Sequence, residues 1–205
     1  MIYTQLPSKE TLEKTKTALE KHGYTVIVVK DGAVALSKIK GLVPDGASVM
    51  NGSSTTLQQI GYVDYLKSGE HKWNNLHEAI LKEKDPAKQA VLRKHATLSD
   101  YYFGSVHALT ETGEFIIASN TGSQLPHVAN TSQNLVFVVS TKKIVKDLAS
   151  AMERLEKHVV PLENKRMQEA YGFGTNMNKI LIVKGESSFL GRKINFILVE
   201  EDLGF

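Results

Sequence analysis

The chain has 205 residues, of which 41% are hydrophobic and 23% charged, with 15 glycines and 5 prolines. This composition is typical of a folded domain with a sizeable core, and it excludes disordered, collagen-like and coiled-coil proteins. The formal net charge of only +3 argues against a dedicated nucleic-acid binder. The absence of cysteine excludes a disulfide framework, a thiolate nucleophile and a cysteine-bound iron–sulfur or zinc site in this chain.

Targeting signals are not visible in the sequence. Residues 1–7 lack a basic segment followed by an apolar one, so we expect no signal peptide. The longest apolar runs, residues 26–29 and 135–139, are too short to cross a bilayer. We therefore expect a cytoplasmic protein without a membrane span.

The first part of the chain alternates between helical and strand patterns. Ser8 can cap a helix that runs to about His22, where Gly23 offers a left-handed stop. The nearly continuous apolar run over residues 24–29 predicts a strand covered on both faces. A short helix over residues 33–40 and a short strand over residues 48–50 follow.

Residues 62–98 are polar and predict helices inserted between strands, broken near Gly69 and at Asp85-Pro86. Beyond this insertion, strands are predicted over residues 101–105, 115–119, 135–140, 179–183 and 194–199. A helix is predicted from about Lys142, with an apolar stripe that indicates core packing and with a stop or kink at Pro161. The alternation predicts a single α/β domain over residues 1–205.

Three polar segments could carry chemistry. The first, residues 51–57, follows a predicted strand and precedes a predicted helix, so its amides could bind an anion. It lacks the lysine and the glycine spacing of nucleotide-binding loops, and a simple capping turn explains it equally well.

The second segment, residues 107–113, places Glu111 next to Thr112-Gly113 at the entry to a strand. A carboxylate there could act as a nucleophile or a base. A hairpin turn with Gly113 in the left-handed position is the simpler interpretation.

The third segment, residues 119–127, begins where a predicted strand ends and is rich in hydroxyl and amide side chains. Ligands of open α/β sheets bind beyond the carboxyl ends of strands, which makes this the strongest of the three signals. The seven histidines lack a metal-binding spacing, so no metal site is expected. Lys142, Lys143 and Lys146 could attract an anionic partner, although solvated charge is the default interpretation.

Four segments together resemble the LUD-domain (lactate utilisation) family. They are residues 51–61, which end in Ile-Gly, residues 100–113, which end in Glu-Thr-Gly, residues 138–145 with Lys-Ile-Val, and the closing residues 191–199. Their order along the chain carries the resemblance, because each motif is loose by itself. Gly113-Glu114 departs from the Gly-Thr of many relatives, and the cysteine-rich extension of the iron–sulfur member is missing.

The resemblance implies a Rossmann-like α/β sandwich similar to the phosphosugar isomerase and CoA-transferase group. It also implies a place in bacterial L-lactate utilisation, alongside an iron–sulfur partner subunit. Our leading hypothesis is a non-redox subunit or accessory, without a cofactor of its own, that binds a small anionic or nucleotide-like ligand in a polar cleft. The alternatives are a CoA-transferase or acyl-transfer enzyme that uses Glu111, and an assembly or regulatory subunit that acts through its surface. The residues expected to bind the ligand are Asn51, Gly52, Ser53, Ser54, Thr55, His107, Thr112, Gly113, Ser119, Asn120, Thr121, Gly122, Ser123 and Gln124.

Overall fold

The computed structural model describes residues 3–205, so the first two residues of segment 1–7, for which the sequence analysis expects no signal peptide, lie outside the described residues. The helices are α1 (Lys9–Lys21), α2 (Gly32–Leu42), α3 (Thr55–Gln59), α4 (Tyr62–Ser68), α5 (Leu76–Lys82), α6 (Pro86–His95), α7 (Leu148–Arg154) and α8 (Val160–Tyr171). The strands are β1 (Thr25–Val29), β2 (Ser48–Asn51), β3 (Asn74–Asn75), β4 (Tyr101–Gly104), β5 (Ala108–Thr110), β6 (Phe115–Ser119), β7 (Asn134–Ser140), β8 (Ile144–Val145), β9 (Lys179–Val183) and β10 (Lys193–Val199).

A six-stranded parallel sheet forms the centre of the molecule, in the order β1-β10-β7-β4-β2-β3. Its middle strands are apolar on both faces, and Phe196 pairs in register with Phe137. Both of these rings are fully buried. Strands that are covered on both faces need such continuous apolar runs, which is why the sequence predicted them.

The sheet separates two apolar cores. One core packs α2, α3 and α4 against the sheet through side chains such as Ile39 and Leu57. The other packs α1 through Leu12 and Leu19 against the opposite face, together with a second sheet. The predicted Rossmann-like α/β sandwich, with a mostly parallel central sheet flanked by helices, is therefore confirmed.

The second sheet has the order β8-β5-β6-β9 and covers part of the central sheet. Its other face packs against α7 through a third apolar cluster that includes Ala151 and Leu155. After α7, a π-helical segment, Leu155–Val159, leads into α8, so the chain stays helical across Pro161. Proline is tolerated there because it lies in the first turn of α8.

The predicted start of this helix, at about Lys142, is wrong. Lys142 and Lys143 lie in a 3₁₀ turn, and β8 follows, with Ile144 paired in register with Leu109 of β5. The helix begins only at Leu148, because the Asp147 side chain caps it by accepting a hydrogen bond from Ser150 N at 2.8 Å.

Residues 62–98 contain the predicted helices α4, α5 and α6, and they also supply the edge strand β3, which pairs with β2. Trp73 anchors this segment, since its buried ring donates a hydrogen bond from Nε1 to the carbonyl of Val43 at 3.3 Å. Across residues 3–205, no helix has both the length and the apolar character needed to cross a membrane.

Candidate functional site

A cavity of about 450 Å³ opens where three neighbouring strands of the central sheet end. Residues 52–56 follow β2, residues 104–107 include the end of β4 and its following loop, and Lys143 follows β7. Because these strands are parallel and adjacent, their carboxyl ends meet at one edge of the sheet. The first predicted segment and His107 therefore lie side by side in the cavity wall.

The opposite wall comes from the second sheet and the C-terminal helix. Residues 117–121 at the end of β6 line it, together with Ser123 and Gln124. From α8, Glu163 and Arg166 reach the cavity and form a bidentate ion pair with two contacts of 2.7 Å. Glu163 is the only carboxylate side chain among the described lining residues, and its charge is already matched by Arg166.

The loop after β2 forms the capping turn that its sequence allowed, and it also contributes to the cavity wall. The Ser54 hydroxyl caps α3 by accepting a hydrogen bond from Leu57 N at 3.3 Å. The same loop lines the cavity from Gly52 to Thr56. At Gly52 a Cβ would lie 2.6 Å from the Tyr102 hydroxyl oxygen, so only glycine fits against this neighbour without displacement. Asn51 is buried just outside the lining, and its Nδ2 donates to the carbonyl of Gly52 at 3.1 Å.

Lys143 brings an amine into the cavity wall from a position that is 96% buried, since its exposed fraction is 4%. Its Nζ lies 3.0 Å from Thr56 Oγ1, 3.1 Å from Ser105 Oγ and 3.3 Å from the carbonyl oxygen of Val106. All three partners are neutral oxygens. Burial, with the nearby charges of Arg154 and Lys142, holds the pKa of this amine well below its usual range.

Arg154 of α7 is fully buried behind this wall. One terminal nitrogen, Nη1, donates to the carbonyl oxygen of His107. Nε and Nη2 are buried without a hydrogen-bond partner among residues 3–205. Burial lowers the pKa of the guanidinium to about 10, so it remains charged at neutral pH. No described carboxylate forms an ion pair with Arg154 or with Lys143.

His107 is a neutral imidazole in this electropositive wall. Its Nδ1 accepts a hydrogen bond from Ala118 N at 3.1 Å, so the proton of the neutral ring sits on Nε2. Burial, reinforced by the charges of Lys143 and Arg154, lowers the pKa of His107 to about 3. A neutral ring of this kind can donate a hydrogen bond to a ligand oxygen at any physiological pH.

The third predicted segment forms a loop held by its own hydrogen bonds. Ser119 Oγ accepts from Gly122 N at 2.9 Å, and Gln124 Nε2 donates to the carbonyl of Ala118 at 2.9 Å. Gly122 has a φ of +86° and lies behind the lining, where the Lys179 side chain covers it. The rest of the predicted ligand-binding residues in this loop, Ser119, Asn120, Thr121, Ser123 and Gln124, line the cavity.

The turn from Glu111 to Gly113 lies elsewhere. It connects β5 and β6, with Gly113 at a φ of +94°, as the hairpin interpretation predicts. The Glu111 carboxylate accepts a hydrogen bond from Lys14 Nζ at 2.7 Å, and the Thr112 hydroxyl donates to the Glu114 carboxylate. None of the three predicted site residues in this turn lines the cavity.

His127 also lies outside the cavity lining. It is buried against Tyr102, with ring centroids 4.3 Å apart, and its Nδ1 is 2.8 Å from Ser132 Oγ. Burial lowers the pKa of His127 to about 4. His107, His127 and Glu111 therefore do not share one cleft.

The sequence did not single out Arg154, and it left Lys143 as solvated charge by default. A signal for Arg154 was present, because Ala151, Arg154 and Leu155 share the buried face of the helix at helical spacing. Tyr171 and Phe173 were also missed as lining residues. Their stacked rings, 5.9 Å apart, remain more than half exposed at the cavity.

Comparisons with known proteins agree with the motifs. The family model of the LUD domain matches residues 12–188. A crystal structure of a DUF162 family protein from Deinococcus radiodurans is similar with a TM-score of 0.57 and 12% sequence identity, covering 95% of this chain and 99% of that one. At this identity the likeness shows the fold alone. No functionally curated protein matches the sequence. Because the family model spans most of the chain, from α1 to beyond β9, the protein belongs to the LUD-domain family.

Proposed function

We propose that this protein binds a small organic anion in the cavity and serves organic-acid utilisation, such as that of L-lactate, as a non-redox subunit or accessory. One observation carries the proposal: the charged Arg154 guanidinium lies behind the cavity wall, beside the buried amine of Lys143, and neither group has a carboxylate partner among the described residues. A buried cation without a partner costs several kcal/mol, and a bound anion offsets part of that cost.

The size and lining of the cavity suit a metabolite. Its volume of about 450 Å³ falls within the range of small-molecule sites. The hydroxyls of Ser53 and Thr55, the amide of Gln124 and the Nε2–H of His107 offer hydrogen bonds to carboxylate or phosphate oxygens. At the α8 side, the exposed Tyr171 and Phe173 rings offer a stacking surface, which suits a nucleotide-like ligand with a flat ring.

The proposed place in lactate utilisation rests on the family. The chain has no cysteine to hold an electron-transfer cluster, so an oxidation that uses one needs a separate iron–sulfur partner subunit. A cytoplasmic location is part of the same proposal.

A thermal-shift screen tests the binding proposal, with L-lactate, pyruvate, AMP, acetyl-CoA and a sugar phosphate as probes. A ligand at one hundred times its dissociation constant adds about 2.7 kcal/mol to the free energy of unfolding. We expect at least one anion to raise the melting temperature of the wild type and not that of Lys143→Met.

Two further variants make the screen specific. Lys146→Met removes an exposed lysine three positions away, and its response should match the wild type. Ser53→Asp adds a negative charge to the cavity wall, and it should weaken anion binding while leaving Lys143 in place. An equal shift in the wild type, Lys143→Met and Ser53→Asp would contradict binding in this cavity, as would the absence of any shift.

The acyl-transfer alternative requires the Glu111 carboxylate to lie where it can contact a bound substrate. Its carboxylate lies outside the cavity lining and is paired with Lys14, so the geometry offers this alternative no support.

The alternative of a subunit that acts through its surface has one specific observation in its favour. Helix α6 has no buried residue, and Leu81, Val91 and Leu92 of α5 and α6 are exposed. Exposed apolar side chains grouped in this way are typical of interaction surfaces. Co-purification with an iron–sulfur protein, abolished by Val91→Asp while anion binding persists, would support this role. Purification of the protein alone under anaerobic conditions would oppose it.

A further inference from the structure

Two neighbouring lysines of equal burial have opposite surroundings. The exposed fractions are 6% for Lys142 and 4% for Lys143. Lys142 Nζ forms an ion pair with the Asp202 carboxylate and donates to the carbonyl of Gly204 at 2.8 Å. Lys143 Nζ meets only two hydroxyls and one carbonyl, and it alone of the two lines the cavity.

This difference in partners makes Lys143, rather than Lys142, the candidate nucleophile. The charged groups near Lys143 are Lys142 and Arg154, both positive, and His107 is neutral. Positive neighbours and burial both favour the uncharged amine, which carries the lone pair that attacks a carbonyl. Lys142, in contrast, has the Asp202 carboxylate as an ion-pair partner.

The two hydroxyls suit such an amine. Thr56 Oγ1 and Ser105 Oγ can each accept a hydrogen bond from an ammonium or donate one to a neutral nitrogen. The Lys143 site can therefore hold either protonation state without leaving a buried polar atom unpaired. Nearby, His107 offers its Nε2–H to an oxygen in the cavity.

We propose that Lys143 forms a Schiff base with a small oxo acid, an anion that carries a ketone or aldehyde group. This inference rests on the proposed anion site, because the positive charge of Arg154 would attract the carboxylate of such a ligand. The lone pair of Nζ attacks the carbonyl carbon, and the carbonyl oxygen takes up a proton to give a carbinolamine. Loss of water then gives the imine, so one amine and one carbonyl yield one imine and one water. Thr56 and Ser105 relay the protons, and His107 polarises the carbonyl through a neutral hydrogen bond.

Reductive trapping of the full-length protein tests this assignment. The protein is incubated at pH 7 with glyoxylate and sodium cyanoborohydride, and the modified lysines are located by peptide mass spectrometry. We expect modification of Lys143 to proceed more than about tenfold faster than that of Lys142 or the exposed Lys146, since each unit by which a pKa falls gives about ten times more free amine. Lys143→Arg, which keeps a long hydrogen-bonding side chain but has no nucleophilic amine, should lose this fast reaction.

Two comparisons separate this inference from the anion site on which it rests. L-lactate, an anion without a reactive carbonyl, should slow the modification of Lys143 and leave that of Lys146 unchanged. Glycolaldehyde, which lacks the carboxylate, should label Lys143 more slowly than glyoxylate does. Modification spread over the exposed lysines while Lys143 stays unmodified would overturn the Schiff-base assignment. If anions still raise the melting temperature in that case, the binding proposal survives alone.

Discussion

The neutral state of His107 predicts a strong loss of stability in acid. Unfolding exposes this ring, whose pKa rises from about 3 in the folded protein to an ordinary value near 6.5. Between these values the unfolded chain binds the proton and the folded protein does not, so the free energy of unfolding falls as the pH falls. At about 1.4 kcal/mol per pH unit, this one group costs about 3 kcal/mol between pH 6.5 and pH 4.

The variant His107→Asn isolates this contribution. Its amide oxygen can accept the Ala118 N–H in place of Nδ1, and it does not titrate. Urea denaturation at pH 7 and pH 4 should show that the wild type loses about 3 kcal/mol more than the variant over this interval. His127 is present in both proteins, so its own acid sensitivity cancels in the comparison. His95→Asn, at an exposed position, should follow the wild type.

A parallel loss of stability in the wild type and in His107→Asn would refute the argument. It would mean that His107 is protonated at little cost in the folded protein, and hence that the wall beside Lys143 and Arg154 is less electropositive than its contacts imply.

Three further changes test the fold and the limits of the site. Phe196→Ala in the central sheet should cost about 3–5 kcal/mol in urea denaturation, whereas Phe189→Ala, at a side chain that is 93% exposed, should change stability by less than about 0.5 kcal/mol. Asp147→Ala removes the cap of α7 and should cost about 1 kcal/mol, and a loss within error would show that the cap does not define that helix start. Glu111→Gln should leave anion binding unchanged in calorimetry and, because Lys14 is largely exposed, cost less than about 1 kcal/mol. A loss of anion binding in this variant would show that the Glu111 carboxylate belongs to the binding site.

Much of the central sheet could be read from the sequence because its strands are buried on both faces. Such strands must be apolar at every position, so residues 135–139 and 194–199 stand out from their polar flanks. The first helix was equally predictable from the sequence. The Ser8 hydroxyl caps it by accepting a hydrogen bond from Thr11 N at 3.2 Å, and Gly23 ends it at a φ of +82°.

The short paired strand β8 could not be predicted from the sequence. Ile144 and Val145 share helical spacing with Leu148, so the local pattern favoured an early helix start. The two residues are extended because β5, thirty-five positions earlier in register, offers them a parallel partner. A strand of two or three residues exists through its pairing, and pairing is not encoded locally.

The sequence by itself was enough to identify the family motifs and to predict the strands that end in polar loops. It also predicted two of the three loops that line the cavity. Only the tertiary structure decided the charge of that cavity. Lys142, Lys143 and Lys146 are chemically identical in the sequence, yet one is paired with Asp202, one faces the cavity without a carboxylate, and one is exposed. The pKa of a lysine depends on desolvation and on neighbouring charges, and both come from residues that are distant in sequence and brought close only by folding.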